Sequence, residues 1–195
     1  MKKAIVLGLA LFATTASAAI TGTPHDLLKL AGNTASSACQ YCHMPHHSNT
    51  AVTDAPLWAK AVRTSYTDGG VAKTVGSNSQ LCLSCHDGTA SAVTTQHNGQ
   101  TLATAYTING GATGGTNVGT ELGNDHPVSI TYASAGGGLA ALVSLTAAKT
   151  AGFVFFGATA DQLECGSCHD PHVQPTGGNF LRGGTGDFCT KCHQK

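Results

Sequence analysis

Residues 39–43 read Cys39-Gln40-Tyr41-Cys42-His43, and the same CxxCH pattern recurs at residues 82–86, 165–169 and 189–193. We call these copies motifs 1 to 4 in chain order. Together they use every cysteine of the chain: Cys39, Cys42, Cys82, Cys85, Cys165, Cys168, Cys189 and Cys192. In a c-type haem site the two thiols bind one edge of the haem and the next residue supplies an imidazole to the iron. The motifs therefore predict four covalently bound c-type haems, whose proximal ligands are His43, His86, His169 and His193.

Cysteine pairs also occur in other kinds of site. Tetrahedral zinc sites and redox-active dithiols both use CxxC spacing, and an exported chain with eight cysteines could form disulfides. None of these sites requires a histidine directly after every pair. The complete set of histidines favours haem.

The remaining histidines are candidates for the distal side of each iron. They are His25, His46, His47, His97, His126 and His172. Methionine is the usual alternative ligand, but the chain contains only Met1 and Met44. We therefore predict bis-histidine irons of low potential, with four distal ligands: His25, His46, His126 and His172. His47 and His97 are predicted to be solvent-exposed.

His46 and His172 each follow a proximal histidine by three residues, in a His-x-Pro-His stretch. A haem that is tethered beside its own motif cannot fit between two imidazoles so near in sequence. Each second histidine is therefore expected to reach a neighbouring iron, which would hold two haems close together. The alternative is a surface histidine after a turn-forming proline.

His126 and His25 have different contexts. Pro127 fixes the backbone next to His126, which favours a ligand over a hydrogen-bonded turn histidine. His25 lies a few residues after the predicted mature N-terminus, where a loose arm could reach a haem of the same chain or of a neighbouring subunit. A plain surface position is the alternative for His25.

The N-terminus predicts export. Lys2 and Lys3 precede an apolar run over residues 4–13, and Ala16-Ser17-Ala18 is typical of a cleavage site. We therefore expect residues 1–18 to be a signal peptide. The apolar run is shorter than the roughly 20 residues that a membrane-spanning helix needs, so no transmembrane segment is predicted. The exported protein is expected outside the cell or on its surface, with the periplasm as the alternative.

Composition limits the fold and the partners. Without Lys2 and Lys3, eight basic residues remain against ten acidic ones, which argues against nucleic acid as a partner. With 25 glycines and few aromatic residues, residues 19–195 are expected to form a single tetrahaem domain in which the haems supply most of the core. The predicted fold is mostly irregular, with short helices at the CxxCH motifs, a few short strands and long loops. The order of lone histidine, CxxCH-x-Pro-His and plain CxxCH occurs twice, as an imperfect internal repeat.

Local signals predict the short elements. Candidate N-caps before the motifs are Ser36 or Ser37, Ser79, Asp161 with Glu164, and Asp187. Strand character at residues 128–132 and 153–156 predicts that these two segments pair, and residues 139–149 are predicted to form a helix. Residues 88–124 are expected to be mainly irregular loop. Trp58 and Phe180 are expected to pack against porphyrin faces or in the core.

The chain resembles the multihaem cytochromes that metal-reducing bacteria export to their surface. It is most similar to the small tetrahaem type that polymerises into conducting filaments. The resemblance covers most of residues 19–195 and rests on these stretches, in order: TPHDL (23–27), CQYCHMPHH (39–47), PLW (56–58), CLSCHDGTA (82–90), DHPVSITY (125–132), CGSCHDPH (165–172), NFLRG (179–183) and FCTKCH (188–193). It implies a polymer in which a histidine of one subunit completes a haem of the next, and by position His25 is the candidate for that role.

These features predict an electron-transfer protein and not an enzyme. Expected partners are other redox proteins as donors and acceptors, copies of the chain itself, and an extracellular metal oxide or a partner cell. A monomeric periplasmic or surface shuttle is the alternative, because it would share every motif. A multihaem reductase of a small oxyanion would need an iron with an open coordination site.

Overall fold

The structure is a computed structural model that describes residues 20–55, 57–88, 93–108, 115–132, 141–173, 179–184 and 186–194. Most of these residues lie in loops and turns, which confirms the predicted fold class. The α-helices are α1 (Ser77–His86), α2 (Leu145–Thr150) and α3 (Cys165–Cys168). Single 3-10 turns occur at Leu27–Lys29, Ala38–Tyr41 and Cys189–Lys191. The strands are β1 (Tyr66–Asp68), β2 (Val71–Lys73), β3 (Ile130–Thr131) and β4 (Gln162–Leu163).

Every CxxCH motif lies on a helical turn, as predicted. Motif 1 occupies the 3-10 turn at Ala38–Tyr41, motif 2 forms the last turns of α1, motif 3 is α3 and motif 4 holds the last 3-10 turn. Ser37 is the N-cap of the first of these turns, and its side chain accepts a hydrogen bond from the Cys39 amide, which confirms that prediction. A helical turn brings the two cysteines of a CxxC pair to the same side of the backbone.

The other predicted caps differ from the structure. The N-cap of α1 is Gly76, and Ser79 lies inside the helix, where its hydroxyl accepts a hydrogen bond from the Cys165 amide 3.0 Å away. The N-cap of α3 is Glu164 in a capping box with Ser167, so the prediction of Asp161 was wrong. Before motif 4 the N-cap position is Phe188. Asp187 contributes its backbone carbonyl, which accepts a hydrogen bond from the Thr190 amide.

The predicted pairing of residues 128–132 with 153–156 is wrong. Strands β1 and β2 form an antiparallel hairpin, and β3 pairs with β4 through Ile130 opposite Leu163. Phe156 makes only an isolated bridge to Gln162. Phe153 and Phe155 are instead buried in an apolar cluster, where burial of the aromatic rings decides the conformation of this segment.

The predicted helix over residues 139–149 begins later in the structure. Residues 139 and 140 lie outside the described residues, and α2 starts at Leu145. The Ser144 side chain fixes that start, because it accepts a hydrogen bond from the Ala147 amide.

The buried apolar residues form four small clusters, and each cluster borders at least one CxxCH motif. Tyr41 of motif 1 packs with Leu102, and Leu83 of motif 2 packs with Tyr66. Two further clusters reach the motif thiols. One, built on Trp58, contacts Cys42, and the other, built on Tyr132 and the buried phenylalanines, contacts Cys168 and Cys192. The apolar core of the polypeptide therefore consists of separate small clusters, each of which lies beside a motif.

The predicted signal peptide, residues 1–18, lies outside the described residues. Within the described ranges no helix has the length and apolar character needed to cross a membrane.

Candidate functional site

The backbone around motif 1 is braced by a second segment of the chain. The amide of Met44, directly after His43, donates to the Leu57 carbonyl at 2.9 Å, and the Ala59 amide donates to the Cys42 carbonyl at 2.8 Å. These two bonds hold the peptide groups on both sides of the proximal histidine. The imidazole of His43 is thereby fixed through its own backbone, with Trp58 edge-on at 6.0 Å.

Motif 3 has the same brace. The Asp170 amide donates to the Phe180 carbonyl at 2.8 Å, and the Arg182 amide donates to the Cys168 carbonyl at 2.8 Å. Leu57 and Phe180 occupy equivalent positions in the two braces, and both adopt a positive φ, of 61° and 54°. Such backbone is uncommon for large side chains, so the surrounding hydrogen bonds must hold it.

Motifs 4 and 2 are held in related ways. At motif 4 the Gln194 amide donates to the Ala141 carbonyl, and the Val143 amide donates to the Cys192 carbonyl. At motif 2 the Val118 amide donates to the His86 carbonyl at 2.9 Å. Hydrogen bonds from other segments therefore fix the backbone at all four proximal histidines.

Three proximal imidazoles face a second imidazole from elsewhere in the chain. The ring centroids of His43 and His172 are 6.2 Å apart, those of His25 and His86 are 6.1 Å apart, and those of His126 and His193 are 6.3 Å apart. The members of each pair are separated by more than 60 residues in sequence. Similar separations at three independent places indicate a common geometric requirement.

That requirement fits one metal ion between two axial imidazoles. A metal–imidazole bond is about 2.0 Å long, and the ring centroid lies about 1.2 Å behind the bonded nitrogen, so two axial rings should be about 6.4 Å apart. The interplanar angles are 27° for His43 and His172, 72° for His25 and His86 and 69° for His126 and His193, so the three pairs share a separation and not a common tilt. The residues present therefore fit a haem iron at motifs 1, 2 and 4.

Hydrogen bonds select the nitrogen that is left for the metal. Nδ1 of His86 lies 2.6 Å from the Thr116 carbonyl, and Nδ1 of His169 lies 2.7 Å from the Asn179 carbonyl. Because a carbonyl only accepts hydrogen bonds, each Nδ1 carries the proton and Nε2 keeps its lone pair. This is the arrangement in which a second group orients a metal-ligating histidine.

The distal candidates are oriented in a comparable way. Nδ1 of His172 lies 3.5 Å from the Asp170 carboxylate, which is itself held by Arg182 at 3.0 Å. Nδ1 of His126 lies 3.1 Å from the Pro127 carbonyl. The Asp170 carboxylate was not predicted from the sequence, although its position between His169 and His172 could have indicated it.

The environment of His25 favours the neutral, ligating form. Burial lowers its pKa to about 4, and the nearby imidazoles of His86, His172 and His169 add to this effect. The ring stacks on Phe180 at a centroid distance of 4.6 Å and an interplanar angle of 11°. Phe180 therefore contacts an imidazole, and Trp58 lies in the core, where the prediction allowed either position.

The thiols do not share one environment. Burial raises the pKa of Cys42 and of Cys168 to about 12, whereas the hydrogen bond with Cys82 lowers the pKa of Cys165. In the described residues no three His, Cys, Asp or Glu side chains come together as a metal-binding group, which is what a closed zinc site of the polypeptide alone would require.

Each motif lies beside the next one along the chain. Cys42 of motif 1 lies within electrostatic range of Cys85 of motif 2. Cys82 of motif 2 is hydrogen-bonded to Cys165 of motif 3, which raises the pKa of Cys82. Cys168 of motif 3 and Cys192 of motif 4 pack on the same apolar cluster. Consecutive motifs are therefore neighbours.

His169 differs from the other three proximal histidines in this respect. All ten histidines lie within the described residues, yet no second imidazole ring faces His169 in the described structure. His46 and His47 are exposed and line an open cavity of about 350 Å³ beside His43. His97 is exposed as well.

Comparison with known proteins points to the same chemistry. A family described as a doubled CXXCH motif matches residues 157–195, which contain motifs 3 and 4. No curated protein matches the chain. Doubled CXXCH motifs imply covalently bound c-type haem, and the match supports a multihaem c-type cytochrome.

Proposed function

We propose that this protein is an exported tetrahaem electron carrier with bis-histidine irons. The observation that carries the proposal is the set of three imidazole pairs at 6.1–6.3 Å, each joining a proximal to a distal candidate. Bound haem iron supplies one-electron chemistry, cycling between the ferric and ferrous states. The chain contributes imidazoles whose backbone positions are fixed by hydrogen bonds, and attachment cysteines of which Cys39 and Cys189 are exposed and the other six are half-buried.

His172 is the residue that links distant motifs. It follows motif 3 by sequence and faces His43 of motif 1. In the proposal it ligates the iron of motif 1 while its own motif holds another haem, so the two haems are kept close together. This is the behaviour expected for the second histidine of a His-x-Pro-His stretch.

The histidine pairing follows the internal repeat. In the first half the lone His25 faces the plain motif at His86, and in the second half the lone His126 faces the plain motif at His193. His172 of the second half faces the first motif of the first half. By the same pattern, His46 of the first half would face His169 of the second half. These two rings do not face each other in the described structure.

We propose that His46 makes this contact between subunits and ligates the iron of motif 3 in the neighbouring copy. His46 is exposed, and His169 has its Nδ1 proton directed to a carbonyl, which leaves Nε2 available. Such a contact uses different surfaces on the two copies, so repeated addition yields an open polymer. His25, the position implied by the family resemblance, is proposed to act within its own chain because it faces His86.

In this proposal the polymer is an extracellular conduit. Its partners are copies of the chain, other redox proteins that donate and accept electrons, and an extracellular metal oxide or a partner cell. The negative net charge of the part that follows the proposed signal peptide gives no basis for nucleic acid as a partner.

Electron microscopy of the secreted and surface fractions tests the polymer. We expect filaments that carry the haem absorbance, and we expect His46→Ala to abolish them. His47→Ala is the matched control, because His47 is the neighbouring exposed histidine and lines the same cavity. A monodisperse particle with the mass of a single processed chain and its haems, in wild-type protein, would contradict the polymer and leave a monomeric periplasmic or surface shuttle.

The imidazole of His169 also supports a second candidate function. If its iron keeps an open coordination site, the protein could reduce a small oxyanion there. Electron paramagnetic resonance separates the two functions. A polymer completed by His46 should show four low-spin irons, whereas a reductase should show one high-spin iron in the assembled state.

A further inference from the structure

Two buried charges lie beside different pairs of motifs. The Lys60 side chain belongs to a residue that is 1% exposed, and Glu164 is 4% exposed. Neither forms a salt bridge within the described residues. A buried charge without an opposite charge beside it acts on its neighbours at low effective dielectric, so its field reaches the adjacent cofactors weakly screened.

Lys60 lies between motifs 1 and 2. Its ammonium donates to the Val93 carbonyl at 2.8 Å and to the Thr95 carbonyl at 3.2 Å, and it lies 6.0 Å from the ring centroid of Tyr41. The thiols of Cys42 and Cys85 are both within its electrostatic range. A positive charge is therefore held next to one attachment point of each of these two motifs.

Glu164 lies between motifs 2 and 3. Its carboxylate accepts hydrogen bonds from the hydroxyls of Ser79 and Ser129 and from the backbone amide of Ser167. Both serine hydroxyls already accept a bond from a backbone amide, that of Cys165 on Ser79 and that of Gly76 on Ser129, so their protons point to the carboxylate. All of these contacts are hydrogen-bond donors, which are the partners that a carboxylate accepts from.

The buried acid that directly follows motif 2 does not disturb this arrangement. Asp87 is paired with Arg63 at 3.1 Å, so its charge is largely compensated. At motif 3, Asp170 is likewise paired with Arg182 at 3.0 Å.

We propose that Lys60 and Glu164 set the order of two of the haem potentials, making the haem of motif 1 more oxidising than the haem of motif 3. The inference rests on the proposed electron-transfer function. A haem that gains an electron gains one negative charge, which the Lys60 ammonium stabilises and the Glu164 carboxylate destabilises. The two residues would thereby give electrons a preferred direction, from motif 3 toward motif 1.

Spectroelectrochemical titration of purified holoprotein, fitted with four one-electron centres, tests the proposal. In Lys60→Gln the potentials of two centres should fall, so that at a fixed applied potential their reduced-to-oxidised ratio drops about tenfold, equivalent to about 59 mV. In Glu164→Gln two centres should shift in the opposite direction. Gln retains a donor for the Val93 carbonyl in the first variant and a capping-box side chain in the second.

The controls distinguish the effect of a buried charge on the haem potentials from the effect of a change in the total charge of the protein. Lys149→Gln and Asp54→Asn alter exposed residues and should leave all four potentials unchanged. Lys60→Arg keeps the charge and should restore the wild-type titration. Lys60→Met serves as a second neutral variant if Lys60→Gln does not load haem.

The number of bound haems distinguishes a failure of this inference from a failure of the proposed function. A wild-type protein without four haems would refute the tetrahaem proposal itself. Variants that load four haems but titrate as the wild type, or that both shift in one direction, would overturn the role of Lys60 and Glu164.

Discussion

At the scale of single residues, the imidazole pairs depend on long-range contacts that cannot be predicted from the spacing of the histidines in the sequence. The cysteines and proximal histidines can be read directly from the CxxCH pattern. The partner of each proximal histidine cannot, because His25 and His86 meet only after the intervening 60 residues have folded back. The sequence predicted that His172 would reach an iron other than its own, but not that His43 would be opposite it.

Replacing His172 by Ala is expected to remove the distal ligand at motif 1 and no other. The iron held by His43 should change from low-spin to high-spin, because one axial position then lacks a strong-field imidazole. Visible absorbance and electron paramagnetic resonance of the purified protein would measure this change, and about one quarter of the haem should be affected.

The matched control is His97→Ala, which removes an exposed histidine that faces no other imidazole ring in the described structure. It should leave every iron low-spin. An entirely low-spin spectrum for His172→Ala, with four haems retained, would contradict the pairing of His43 with His172.

At the scale of elements, α1 and α3 are joined by side chains that form hydrogen bonds to groups of both helices. Ser79 was predicted as a cap for its own helix because serine near a helix start usually has that role. In the structure its hydroxyl accepts from the Cys165 amide of α3 and donates to Glu164. Local propensity predicted a helical turn at every motif correctly, but it could not predict a cap that comes from a different helix.

Ser79→Ala is expected to lower the free energy of unfolding of the holoprotein by about 1–3 kcal/mol, because the half-buried Cys165 amide loses its acceptor and the buried Glu164 carboxylate loses a donor. Chemical denaturation followed by circular dichroism would measure the loss.

Ser77→Ala in the same helix is the control, since the only hydrogen bond of its hydroxyl among the described contacts is an exposed one to Thr53. Its effect should stay within about 0.5 kcal/mol. Equal stability of the two variants would show that the link between α1 and α3 contributes nothing to the fold.

At the scale of the whole molecule, the polypeptide forms small apolar clusters that border the motifs and leave the attachment sites between them. The predicted scarcity of regular secondary structure follows from the 25 glycines and the few aromatic residues, and it is confirmed. Which apolar residues pack together was predicted less well. Phe153 and Phe155 were expected in a strand and instead fill the cluster beside Cys168 and Cys192, because tertiary packing overrode their strand propensity.

Intact mass spectrometry of the purified exported protein, after denaturation and thiol alkylation, tests most directly whether the chain carries four covalent haems. We predict the mass of the processed chain plus four haems, with none of the eight cysteines alkylated. A chain that lacks haem mass and alkylates at a CxxCH pair would contradict a tetrahaem protein and would return that pair to zinc or dithiol chemistry, whereas missing haem mass without alkylation would indicate a disulfide.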